Sequence, residues 1–202
     1  MAVKDHSLDG RIIEAATAEF LAHGFAKASL HKIADRAGIT TGALYTRYKN
    51  KDDLFCSLVQ PAMREIAIHM QPMQELYEKA HAERSAEALL HAIRTEEQVY
   101  LDLLFHQYDA CVLLFCKSAG SSLEAAIHQM TRMKAQQTVA FFQSIARREM
   151  DFDGIELIMS QQFYQYRALL ERGYTREKAV SCMRTVDTFL EAGWKAILDQ
   201  IL

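Results

Sequence analysis

A chain of 202 residues and 23.0 kDa can bury a real hydrophobic core, as one domain or as two. With 50% hydrophobic and 24% charged residues, 8 Gly and only 2 Pro, the composition excludes a disordered or repeat-rich chain and fits a soluble, mostly helical protein. The net charge of −3 does not by itself suggest nucleic acid, and the longest nearly uncharged run, Ala110 to Cys116, is too short to cross a bilayer.

From Ser7 or Asp9 to His23 the apolar positions Ile12, Ala16 and Phe20 recur every fourth residue, which predicts a helix with one buried stripe, stopped at Gly24. Phe25 is then expected to close a small core over Leu30 and Ile33. Two short helices follow. Ser29 can cap the first, whose Leu30, Ile33, Ala34 and Ala37 make one apolar face, and Gly38 can take the positive-φ position that ends it. Thr40 can cap the second, which carries Leu44 and Tyr48 inward. Such a pair joined by a short turn has the form of a helix-turn-helix.

Charge is distributed unevenly. Between residues 27 and 51, Lys27, Lys32, Arg36, Arg47, Lys49 and Lys51 face a single acid, Asp35, whereas the chain as a whole is acidic. A basic patch on an acidic protein can seat DNA through one face and repel it elsewhere.

Asn50 can cap the next helix, with Asp53 reaching back as in a capping box and Asp52 beside it where the helix dipole favours anions. Pro61 and Pro72 are expected to kink or interrupt that helix, because each lacks a donor and crowds the preceding turn. Residues His81 to Ser118 read as helix again, with a break near His106 to Tyr108. After the turn Ala119-Gly120-Ser121-Ser122, Ser121 or Ser122 can cap a long helix reaching Arg147 or Arg148. Asp151 or Asp153 opens another, ending near Gly173, and Thr175 caps the last. On these two final helices Ile155, Met159, Met183, Val186, Leu190, Gly193, Trp194 and Ile197 form more apolar surface than one internal face needs. They are expected to be the interface of a homodimer, two helices from each subunit making a four-helix bundle.

The ordered set Arg11-Ile12-Ile13, Ala15-Ala16, Phe20, Gly24-Phe25, Ile33-Ala34, Ala37-Gly38-Ile39-Thr40, Gly42, Leu44-Tyr45, Tyr48, Lys51 and Leu54 resembles the N-terminal domain of TetR-type bacterial transcriptional repressors. The resemblance implies an all-α fold: a three-helix DNA-binding domain, residues 1–52, joined to a helical effector-binding and dimerisation domain, residues 53–202. It implies a sequence-specific regulator, a repressor by family habit, which binds a palindromic double-stranded DNA operator as a dimer and is released by a small-molecule effector.

By the same resemblance, Thr41, Gly42 and Ala43 face base edges, with Thr40 capping the helix that bears them. At that helix N-terminus the free N–H groups of Thr40, Thr41 and Gly42 can hold a phosphate, and Gly42 permits close approach. Ala43 offers only a methyl group, so direct readout by hydrogen bonds is sparse. Tyr45 and Lys51 match the family's phosphate contacts, Arg47 stands where the family often has His and can reach a phosphate or, in bidentate form, a guanine, and His31 and Lys32 fall near positions that touch DNA. An effector pocket is expected between the fourth helix and the helices of residues 81–148. Its candidate lining is Tyr100, Leu104, His106, Tyr108, Cys111, Phe115, Met130, Gln137, Phe141 and Tyr164, a mainly apolar set. Asp102 and Asp109, within the same run, could pair with a cationic ligand.

Enzyme chemistry has little to stand on. Only Glu78-x-x-His81 has the spacing of a carboxylate-bridged metal motif, no HExxH, phosphate loop or GxSxG occurs, and no cofactor is implied. The cysteines Cys56, Cys111, Cys116 and Cys182 lack metal-ligand spacing, and the opening residues MAVKDHSLDG carry no apolar run, so a cytoplasmic location with reduced thiols is expected. The competing reading is a ligand-binding or scaffold dimer without DNA binding. The intact pattern from Thr40 to Lys51 argues against it.

Overall fold

A computed structural model describes residues 6–147 and 153–201; Arg148 and Asp151, two of the expected helix ends, lie outside them. The described residues form helices alone: α1 (His6–Lys27), α2 (Leu30–Ala37), α3 (Thr41–Tyr45), α4 (Lys51–Glu83), α5 (Ala86–His106), α6 (Tyr108–Cys116), α7 (Ser122–Ile145), α8 (Asp153–Glu171) and α9 (Arg176–Ile201). The all-α expectation holds. No single helix among the described residues is long and apolar enough to cross a membrane.

The chain packs as two compact units. The first comprises the residues up to Met63 together with Gln107–Ile127; the second comprises Arg64–His106 and His128–Leu202. This division by packing is a different partition from the functional one drawn at residue 52, because α6 and the start of α7 pack with the N-terminal helices.

In the first unit α1 lies against α2 and α6, and α2 against α3. Ile12, Ala16, Phe20, Ile33, Ala34, Leu44, Leu54 and Phe55 are all buried. Gly24 leaves the helical region at φ 71 and ψ 167, and the chain turns there. The Phe25 N–H donates to the Lys117 carbonyl at 2.8 Å. The Phe25 ring stacks on Phe20 and meets Phe55 edge-on, with centroids 6.2 and 5.2 Å away.

The helix starting at Lys51 runs to Glu83 through both prolines, so neither Pro61 nor Pro72 interrupts it. A proline deletes one backbone hydrogen bond, and here both rings lie on the exposed side while Leu58, Val59, Ala62 and Ile66 are buried on the other. Burial of that face outweighs the local penalty.

The second unit is built on α5, which packs against α8 and α9. Its core joins Ala80, Leu89, Ala135, Phe142, Ile155, Met159, Trp194 and Leu198, with the Phe142 and Trp194 rings 5.4 Å apart. Four residues expected at a dimer interface, Ile155, Met159, Met183 and Trp194, are therefore buried inside their own protomer. Val186, Leu190 and Ile197 are half-buried and Gly193 is exposed. The apolar side chains that α8 and α9 turn to solvent are Leu157, Ile158, Tyr164 and Phe189, the last 78% exposed.

Candidate nucleic-acid interface

Local hydrogen bonds set the helix-turn-helix. Ser29 Oγ accepts from the Lys32 N–H at 3.4 Å, and the Ser29 N–H in turn donates to Glu19 Oε1 at 3.0 Å, which ties the start of α2 to α1. Gly38 adopts φ 68 and ψ 36 and closes α2 through its N–H to the Ala34 and Asp35 carbonyls. A side chain at this φ would be strained, so the turn needs glycine. Thr40 Oγ1 then accepts from the Ala43 N–H at 3.1 Å and starts α3.

Five residues make up α3. Leu44 is its anchor at 1% exposure, while Gly42 and Tyr45 are exposed and Thr41 and Ala43 half-buried. Tyr48 falls beyond the helix but still donates its N–H to the Leu44 carbonyl, and its half-buried phenol is pushed up by burial. One buried leucine thus seats a helix whose outer surface carries Gly42 and Tyr45.

Two of the expected phosphate contacts have partners inside the chain. Arg47 Nε donates to Asp9 Oδ1 at 3.0 Å. Lys51 Nζ donates to the Ala26 carbonyl at 3.1 Å and lies over the Phe25 ring, 5.0 Å from its centroid. Burial lowers the Lys51 pKa. His31 pairs with Asp35 one turn along α2, at 2.9 Å, and Lys32 is exposed. Lys27, Arg36 and Lys49 are exposed cations of the same unit that the residue-by-residue pattern left out. The local charge excess was the signal that contained them.

After α3, Asn50 caps the next helix as expected, its Oδ1 accepting from the Asp53 N–H at 2.8 Å, while Asp53 reaches back one residue further, its Oδ2 accepting from the Lys49 N–H at 2.9 Å. Asp52 serves a different helix. Its two oxygens accept from the Ser122 N–H at 2.8 Å and the Ser122 hydroxyl at 2.7 Å, at the N-terminus of α7.

The effector-lining candidates are spread over both units. Tyr108, Cys111 and Phe115 belong to the first unit, where Cys111 is fully buried. In the second unit Leu104 is core, Phe141 packs edge-on against His81 and Phe142, and Tyr100 leans on Tyr166. His106 is exposed and bonded to Glu65 at 3.0 Å; Met130 is half-buried, and Gln137 and Tyr164 are exposed. Asp102 is engaged by Arg176 on the surface. A cleft open to solvent lies between α5 and α9, and none of the ten candidates lines it.

Comparison with known proteins bears on the same helices. Residues 12–58 match the family model of bacterial regulatory proteins of the tetR family. The "Probable acrEF/envCD operon repressor" of Escherichia coli (strain K12) is 40% identical over 77 residues, covering 34% of this chain and 35% of that protein. The "Fatty acid metabolism regulator protein" of Bacillus subtilis (strain 168) is 33% identical over 72 residues, covering 36% of each. The likeness thus spans about a third of the length of these relatives. A crystal structure of a TetR family transcriptional regulator from Chloroflexus aurantiacus J-10-FL superposes with a TM-score of 0.60 at 15% identity, over 97% of this chain and 92% of that one, which shows a shared fold. In residues 12–58 the chain carries the N-terminal domain of the tetR family of bacterial regulatory proteins, within the all-helical fold of a TetR-type regulator.

Proposed function

We propose that the protein is a sequence-specific DNA-binding transcriptional repressor, acting in the cytoplasm as a homodimer on a palindromic double-stranded operator and released by a mainly apolar small molecule. In this reading residues 1–52 bind DNA and residues 53–202 bind the effector and dimerise. The observation that carries it is the seating of α3: capped by Thr40 and anchored by Leu44, it turns Gly42 and Tyr45 outward in a unit with Lys27, Lys32, Arg36 and Lys49 exposed. A short, rigidly seated helix flanked by cations suits the major groove and its phosphates. The relatives' printed names, an operon repressor and a metabolism regulator, support repression and metabolite response.

The engagement of Arg47 and Lys51 inside the chain favours a second reading, a helical dimer that does not bind DNA. Selection of fragments from a genomic DNA pool, followed by titration of the winner with its mass in solution recorded, separates the two. Enrichment of a palindrome bound by one or two dimers supports the repressor. Failure to enrich any sequence, with a ligand-stripped sample as well, would leave the dimer without DNA binding.

A further inference from the structure

The cleft between α5 and α9 holds two acids face to face. Glu97, on α5, is only 5% exposed, and its carboxyl lies within hydrogen-bonding reach of the Asp187 carboxyl on α9. Asp187 Oδ1 is enclosed, and no N–H or O–H of the described residues donates to it. Ile93, Leu190 and Trp194 supply apolar walls.

The surrounding charges do not neutralise this pair. Lys134, on α7, makes two 2.7 Å bonds to Glu96 and sits over the Tyr77 ring, 3.9 Å from its centroid; Tyr77, on α4, donates its hydroxyl to Glu96 as well. Arg94, on α5, is bridged to Glu191, on α9, at 3.2 Å, at the exposed rim. From α8, the ring of Tyr166 lies against that of Tyr100 and brings no charge. Two carboxylate oxygens cannot bond to one another, since both only accept. A single proton turns the contact into a donor and an acceptor.

We propose that Glu97 and Asp187 hold one proton between them and form a proton-operated latch joining α5 to α9, closed while the proton is present and forced open when base removes it. The electrostatics run the same way. Burial, then the charge and hydrogen bond of Asp187, then Glu96 push Glu97 up to about 8, with Arg94 opposing. Burial also raises Asp187. Above that range two adjacent carboxylates would occupy a largely apolar cleft, where an unpaired charge is costly. The inference does not depend on DNA binding.

Amide hydrogen exchange on the full chain at pH 6.5 and 8.5, corrected for the intrinsic rate, tests the latch. In the wild type, protection in the α9 turns around Asp187 should fall by on the order of tenfold at the higher pH, because opening releases the proton. Glu97→Gln replaces the protonated acid by an amide that donates permanently to Asp187, so its protection should be equal at both values. Equal protection in the wild type, or the same loss in Glu97→Gln, would overturn the proposal. A carboxyl-carbon NMR titration of the wild type gives a second readout independent of the variant: Glu97 and Asp187 both already ionised at pH 6.5 would also overturn it.

Discussion

Arg47 reaches across 38 residues of sequence to Asp9, Nε to Oδ1 at 3.0 Å, with the two side chains 22% and 29% exposed. The cation expected to meet DNA is thus neutralised in the free protein by an acid of α1. Its carboxylate competes with any phosphate that approaches Arg47. Asp9→Asn should therefore strengthen binding to matched and scrambled DNA alike and steepen the salt dependence by up to about one unit in log–log slope. A partly exposed pair contributes little to folding, so the cost to stability should stay below about 1 kcal/mol. Weaker binding with a shallower slope would mean instead that Asp9 orients Arg47 toward its phosphate.

Gly42 has no internal reason to be glycine. It is not at positive φ, and a Cβ built there would meet only Thr40 Oγ1, at 3.8 Å, an ordinary contact. Alanine is the better helix former by roughly 1 kcal/mol. Gly42→Ala should fold with equal or greater thermal stability, while operator affinity drops by about tenfold or more, as the added methyl group holds α3 off the groove. Unchanged affinity in a binding titration would remove Gly42 from the interface.

The features legible in the sequence were the ones whose partners lie within a turn of helix. Ser29 to Lys32, Gly38 to Ala34, Thr40 to Ala43 and Asn50 to Asp53 all follow from residue type and spacing. Arg47 and Lys51 have internal partners that no local pattern encodes, because Asp9 and Ala26 lie 38 and 25 residues away. That the prolines do not interrupt their helix has a related reason: the penalty is local, but the packing of Leu58, Val59 and Ala62 that offsets it is tertiary. On α9 two stripes are free of charge, Ala179-Met183-Val186-Leu190-Trp194 and Thr185-Phe189-Ala192-Gly193-Ala196. Periodicity cannot say which of them faces the protomer's own core.

Asp52 makes α7 sensitive to acid. Burial works against ionisation of its carboxyl, but the hydrogen bonds from the Ser122 hydroxyl and N–H outweigh it and hold the pKa below the usual carboxylate range. A folded-state value below the unfolded one, about 3.9, stabilises the protein above that pH, and the contribution disappears as pH falls through the lower folded value. Asp52→Ala should cost about 1 kcal/mol at pH 7, the usual scale of a lost helix cap. Denaturant melts of both proteins should converge as pH drops below about 4. A gap that does not change with pH would show that the carboxylate charge is not what holds Ser122.

Phe189 and Trp194 lie one and a half turns apart on α9 and face opposite ways, with exposures of 78% and 4%. If the homodimer forms through the outward stripe, Phe189 is its largest apolar side chain on that helix, joined by Leu157, Ile158 and Tyr164 of α8. Phe189→Asp should roughly halve the mass in solution at micromolar concentration. It should leave the fold of each protomer intact, because an exposed position is worth within about 0.5 kcal/mol. Trp194→Ala should do the reverse. Removing the indole that packs 5.4 Å from Phe142 opens a cavity costing about 3–5 kcal/mol, so the protein should lose stability first and self-association only as a consequence. Light scattering and thermal melts on the two variants separate these outcomes. A full-mass Phe189→Asp protein would place the dimer contact elsewhere on the chain.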